Sequence, residues 1–249
     1  LAAMPETKRV EREIGEVLRL GSPAGTAKTK MPIATPIKAT RFAPAPTEEM
    51  PLRRTPSAMF AAEEAILPAQ APGARASGKL RGMFVHRLLE VLPARVPSER
   101  AAIARALANL PIYCVLLPEF EALLREINGI LDDAEFSPLF GSDSRAEVPL
   151  AGVLRQDDGR KLIVSGQIDR LLVTPDAIFI VDYKTNREVP NPVPRAYVAQ
   201  MAAYRRLLID IFPNRRTEAA LLFTAVPRLV RLSESQLNAI DITRSAQVA

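Results

Sequence analysis

Asp169, Asp182 and Lys184 lie in two short runs, Gly166-Gln167-Ile168-Asp169 and Val181-Asp182-Tyr183-Lys184. Read as a strand, the second run puts Asp182 and Lys184 on one side, because strand side chains alternate faces. The segment between the runs centres on a turn at Pro175-Asp176. An unbulged hairpin about that turn pairs Thr174 with Ala177, and counting outward sets Asp169 opposite Asp182. Directly opposed residues have Cβ atoms about 5 Å apart. Two carboxylates that close repel, and a lysine two residues away offsets part of the repulsion. A divalent cation offsets far more, and hard ions such as Mg²⁺ take one or two carboxylates plus waters and phosphate oxygens. Such a cation would polarise a phosphodiester, activate a water and steady the leaving oxygen. Lys184 would stabilise the developing charge, and a lowered lysine pKa would add base character. An Asp-x-Lys on a strand is also the pattern of a surface ion pair, worth under about 1 kcal/mol. Opposed like charges, which sheets ordinarily avoid, shift the reading toward a site.

Elements of both periods must hold these residues. Phe84, Leu88 and Leu92, with Val85 and Leu89, recur at helical spacing, so regular structure is expected from about Gly82 in a helix over 82–92. Ser98 is the expected N-cap of a second helix over 99–110. A third is expected from Pro118, at its first turn, to about Asp132. The period then changes. Residues 145–152, 161–173 and 177–185 are rich in Val, Ile and Leu and read as an antiparallel meander. A long helix over 195–211 ends before Pro213. Strands over 219–225 and 229–232 follow, and Ser233 with Gln236 makes a capping box for a terminal helix. The fold class expected is α/β: a mixed β-sheet flanked by helices. Glu147, on the strand before the hairpin, is either a carboxylate just behind the metal ligands or a surface residue.

Ahead of this domain, residues 1–80 carry 12 Lys/Arg against 8 Asp/Glu, and 10 of the 22 prolines. Proline lacks the N–H and restricts its predecessor, so residues 1–79 read as a Pro-rich, basic, largely unstructured leader. Short helices are expected over 10–20 and 59–66. The domain proper is assigned to residues 80–249. The Gly21–Thr29 stretch looks superficially like a phosphate-binding loop. Its glycine–lysine spacing is wrong, it contains Pro23 and it follows no strand, so no ATP site is expected in this chain.

Composition narrows the function classes. Of 249 residues, 48% are apolar, enough for a substantial core. Trp is absent and aromatics are 5%, which argues against base-stacking platforms as the main binding device. Cys114 is the single cysteine, excluding a four-cysteine zinc or iron–sulfur site and an internal disulfide. No run of about 18 apolar residues and no signal-peptide core is present, so a cytoplasmic location with no membrane partner is expected. The net charge of +5 is compatible with a polyanionic partner.

Two further motifs bracket the hairpin: Gly82-Met83-Phe84-Val85-His86 before it and Gln200-Met201-Ala202-Ala203-Tyr204 after it. The order Gly-x-x-x-His, Gly-x-x-Asp, Asp-Tyr-Lys and Gln-x-x-x-Tyr resembles the RecB-family nuclease domain of the PD-(D/E)XK superfamily. His86-Arg87-Leu88-Leu89-Glu90, Val164–Arg170 and Ile180–Asn186 look most like the C-terminal nuclease domain of AddA helicase–nucleases. The resemblance covers roughly residues 80–235. It implies a restriction-endonuclease-like fold and metal-dependent, exonucleolytic DNA hydrolysis in double-strand-break repair. The cofactor would be Mg²⁺, with Mn²⁺ an alternative because imidazole is softer than oxygen donors. His86, Asp169 and Asp182 would ligate the metal, with the Tyr183 carbonyl as a main-chain ligand. Asp169, Asp182 and Lys184 would be catalytic. Gln200 and Tyr204, four apart and so on one helix face, would organise the site or contact DNA. DNA and an AddB-type subunit are the partners implied. The alternative reading is an inactive DNA-binding or partner-docking domain that keeps the fold.

Overall fold

The computed structural model describes residues 7–12, 15–20, 52–56, 72–155, 159 and 161–242. The chain divides into two compact units, residues 1–48 and 49–249. In the first unit, β1 (Thr7–Arg12) and β2 (Gly15–Leu20) form an antiparallel ribbon with Val10 opposite Val17. This corrects the helix expected over 10–20. Thr7, Val10 and Val17 favour strands, and a lone helix of about ten residues is marginal in water. The helix expected over 59–66 and the Gly21–Thr29 stretch lie outside the described residues.

The second unit is a mixed six-stranded sheet with helices on both faces. In chain order it contains β3 (Leu52–Arg54), α1 (Pro72–Val91), α2 (Pro97–Ala108), α3 (Phe120–Asp132), β4 (Ser144–Arg155), β5 (Lys161–Val173) and β6 (Ala177–Lys184). It continues with α4 (Arg195–Ile211), β7 (Arg216–Phe223), β8 (Arg228–Leu232) and α5 (Glu234–Asn238). β4, β5 and β6 form the antiparallel meander, and α4 carries the chain across to β7, which runs parallel to β6. Parallel neighbours need such a crossover helix. β3 pairs parallel with β5 at Leu162–Val164. The restriction-endonuclease-like architecture expected from the sequence is the one observed.

Alternation along the strands sorts the core into two layers. Ile178, Ile180, Leu221 and Phe223 pack with Ala199, Met201, Ala203 and Leu207 of α4. Val181, Tyr183 and Leu222 face the opposite way, against Phe84, Val85, Leu88 and Leu89 of α1 and Phe120 and Ile127 of α3. Burying each such Leu or Phe is worth roughly 1.5–3 kcal/mol. β7 is buried from Ala219 to Phe223, as a strand covered on both faces requires.

Three helix starts differ from expectation. α1 begins at Pro72, ten residues before Gly82. α2 starts at Pro97 with Val96 as N-cap and no side-chain cap, so Ser98 is inside the helix: the proline fixes the first turn's φ unaided. Pro118 falls in a 3₁₀ turn (Cys114–Glu119), and α3 starts at Phe120, where its strongly buried face begins. The Ser233/Gln236 capping box is present as expected, on a helix of five residues.

Candidate active site

The β5–β6 ladder keeps the expected register through Val173↔Ile178 to Arg170↔Val181, with Thr174 N donating to Ala177 O at 2.9 Å. The next pair in that register is Asp169 and Asp182, and there the backbone ladder ends. The Tyr183 N–H instead donates to Asp169 Oδ2 at 2.7 Å. On its other edge Asp169 is level with Glu147, and that pair is also missing between Ala146↔Arg170 and Val148↔Ile168. Glu147 has φ +51, uncommon for a residue with a Cβ. Side-chain alternation slips at the same level. Ile168 packs with the α4 layer, whereas Arg170, two residues on, bonds Tyr183 Oη on the α1 side at 2.9 Å. Asp169 thus lies where both ladders break, inside the sheet between β4 and β6.

Two clusters meet there. In the first, His86 from α1 places Nδ1 3.3 Å from Asp169 Oδ1 and 4.0 Å from Glu147 Oε1, and the three donors lie within 4.8 Å of one another. In the second, Lys184 Nζ lies 2.8 Å from Asp182 Oδ2 in a buried ion pair. Gln200 from α4 ties both ends, donating through Nε2 to Asp182 Oδ1 at 2.9 Å and accepting from Lys184 Nζ at 3.3 Å. The ammonium sits 4.0 Å over the ring of Tyr197. His86, Asp169, Asp182, Tyr183, Lys184, Tyr197 and Gln200 line one pocket of about 460 Å³.

The electrostatics separate the clusters. Burial alone would lower the Lys184 pKa, but facing Asp182 outweighs it and the net shift is upward. The upward direction keeps Lys184 charged, in line with a charge-stabilising group and not with a base. Burial pushes Asp182 up, with Lys184 opposing. At His86 burial pulls downward, but Asp169, then Asp182 and Glu147, raise the imidazole above its usual 6.5. Glu147 is raised by burial and by the Asp169 charge. An imidazole and two carboxylates crowded in this way are a donor set with too little positive charge. Ligands 2.0–2.1 Å from an octahedral ion lie roughly 3–4 Å apart, so separations of 3.3 and 4.0 Å suit one cation. Carboxylate oxygens suit hard divalent ions and imidazole nitrogen softer ones, so the mixed set fits a divalent cation.

Tyr204 stands beside the pocket, donating through Oη to the Gln167 carbonyl at 2.9 Å. It explains the glycine of the Gly-x-x-Asp motif, because a Cβ at Gly166 would lie 2.6 Å from that hydroxyl. The Tyr183 ring packs edge-on to that of His86, centroids 5.4 Å apart, and its hydroxyl accepts from Arg170 Nε.

Two supporting residues went unassigned in the sequence. Tyr197 shares the Gln200/Tyr204 helix face at spacings of three and seven, a legible signal. Arg170 joins Tyr183 Oη, Ser144 Oγ at 3.4 Å and the Leu89 carbonyl, tying β4, β5, β6 and α1 together behind the site. Nothing in local sequence marks that role.

The PD-(D/E)XK nuclease superfamily profile matches residues 54–241. No curated protein matches. Among solved structures, SSO0001 is similar at 17% identity over 67% of this chain and 82% of that one, with a TM-score of 0.32. No helix among the described residues is long and apolar enough to cross a membrane.

Proposed function

This chain belongs to the PD-(D/E)XK nuclease superfamily, and from that premise we propose that it is a metal-dependent DNA nuclease. The observation that carries the reading is the junction of the His86–Glu147–Asp169 group with the buried Asp182–Lys184 pair. His86, Asp169 and Glu147 would hold a divalent cation, preferentially Mg²⁺ or Mn²⁺. Asp182 and the Tyr183 carbonyl, on the adjoining strand, complete the set that the motif order suggests. A cation bound there supplies Lewis acidity toward the phosphate and lowers the pKa of a bound water.

The chain's own residues do the rest. Lys184, held protonated by Asp182, faces negative charge growing on the phosphate oxygens and donates to them. Gln200 and Tyr197 restrict its swing, so little reorganisation is needed when charge develops. Asp169 is held by the Tyr183 N–H, which fixes one carboxylate oxygen and leaves the other directed at His86.

The finer reading rests on motif order. His86, Asp169, Asp182-Tyr183-Lys184 and Gln200/Tyr204 occur in the RecB-type succession, which favours exonucleolytic work on DNA ends in double-strand-break repair. The domain would act there beside an AddB-type subunit and an ATP-driven motor. The testing experiment is cleavage of end-labelled linear single- and double-stranded DNA with Mg²⁺, Mn²⁺ or EDTA. Wild type is expected to degrade DNA only with metal, and folded Asp182→Ala not at all. Cleavage surviving in the variant means the assigned centre is wrong. Folded wild type that binds DNA and never cleaves it indicates a docking domain.

A further inference from the structure

The active-site pocket does not end at His86. A second pocket of about 580 Å³ opens on the far side of that residue, sharing His86 and Lys79 with the first. Met83 and Tyr113 line it, with Gln167 also in its wall. Met83 is 43% exposed, whereas Phe84, Val85, Leu88 and Leu89 on α1 are buried. Of the four tyrosines, Tyr183, Tyr197 and Tyr204 are buried, and Tyr113 alone keeps an accessible ring. That ring is braced from behind by Phe84, centroid to centroid 4.9 Å.

We propose, resting on the nuclease reading, that this second pocket binds an unpaired nucleobase next to the scissile phosphate, against Tyr113 and Met83. A braced aromatic ring with a polarisable thioether beside it offers a stacking surface that accepts any base. The low aromatic content of the chain argues against an array of such surfaces, and a single one suffices for a single flanking nucleotide. Lys79, exposed and common to both pockets, is placed to meet the intervening backbone phosphate. Arg87 is occupied by Glu90 at 2.6 Å, which neutralises an acid that would otherwise repel the strand. Gln167 donates to the Glu147 carbonyl at 3.2 Å, leaving its amide oxygen to accept from a base edge or sugar hydroxyl. A base within a duplex has both faces stacked and its edge paired, so it cannot enter such a pocket without leaving the helix. The occupant is therefore a single strand or an unpaired end.

The test uses the full chain carrying Lys184→Met, which is expected to slow cleavage, with Mg²⁺ and oligonucleotides bearing 2-aminopurine at successive positions. Binding is followed by anisotropy and stacking by fluorescence quenching. One position in a single strand is expected to be quenched further when the protein binds, and the same position in a duplex, already stacked on its neighbours, is expected to show no protein-dependent change. Adding Tyr113→Leu is expected to remove the quench and weaken binding about 5- to 150-fold, the range for one stacked base. Tyr113→Phe should retain both. Met83→Ser, at an exposed position, should reduce both by a smaller factor. Unchanged binding and quenching in folded Tyr113→Leu and Met83→Ser overturns the pocket assignment and leaves the nuclease reading standing. An equal protein-dependent change in duplex overturns the unpaired base. A wild type that neither binds nor cleaves any strand overturns both readings.

Discussion

The two halves of the site solve opposite electrostatic problems. The Asp182–Lys184 half is buried and neutral within itself: one carboxylate, one ammonium at 2.8 Å, and an amide that bonds each. The His86–Glu147–Asp169 half is more open and holds two carboxylates against one imidazole. The first is assembled by folding alone. The second is left short of positive charge, which is the condition a resident cation relieves. Holding lysine already paired, next to donors still in want of a cation, keeps the two functions separable.

That separation can be broken experimentally. The largest effect is expected from Lys184→Met, with cleavage falling by about 10²–10³-fold as for loss of one charge-stabilising donor. Cation affinity, measured by calorimetry with Mn²⁺, should be undiminished in the same variant. Loss of both together would show that the halves are one unit. Thermal unfolding guards the result, because removing one partner of a buried pair can itself cost about 3–5 kcal/mol.

A smaller effect tests the other half. Glu147→Gln is expected to weaken Mn²⁺ binding about 10-fold, within the range for disturbing a metal site's ligand surroundings, and Asp169→Asn more. Glu90→Gln, one turn beyond His86, should leave affinity unchanged. If Glu147→Gln binds Mn²⁺ like wild type, Glu147 is outside the donor set.

The smallest effect is in pH. His86, Glu147 and Asp182 all have raised pKa values in the folded state. The folded chain therefore binds more protons than the unfolded chain, and stability falls as pH rises. For His86 the contribution is fully present below its unfolded value of 6.5 and is lost as pH passes through its raised folded value. In EDTA, the melting temperature should decline across that interval. With Mn²⁺ the decline should vanish or reverse, since the cation takes the protons' place. A melting temperature insensitive to pH in EDTA would mean the crowded half is not strained for charge.

Local periodicity was enough for much of this architecture. β5, β6 and α4 fall where the alternation and the 3.6-residue repeat put them, and α4 has the expected bounds. Those segments are long and each buries one definite face, so pattern and structure agree. The starts of α1 and α3 were misplaced because helix ends are set by caps and neighbours more than by periodicity. The ribbon at β1 and β2 was misread for a related reason: its charged residues obscure a period of two.

The sequence by itself determined which residues carry charge and which share a side. Asp182 and Lys184 are two apart on a strand, and Gln200 and Tyr204 four apart on a helix, so backbone geometry alone fixes their grouping. Only the tertiary structure decided how those groups meet. Glu147 enters the His86 cluster through a kink level with Asp169, and Lys184 stays protonated because folding buries it against Asp182. Tyr113, far from every motif in the chain, reaches the cleft because helix packing sets it on Phe84. Contacts between distant segments depend on how faces pack, and no local spacing encodes that.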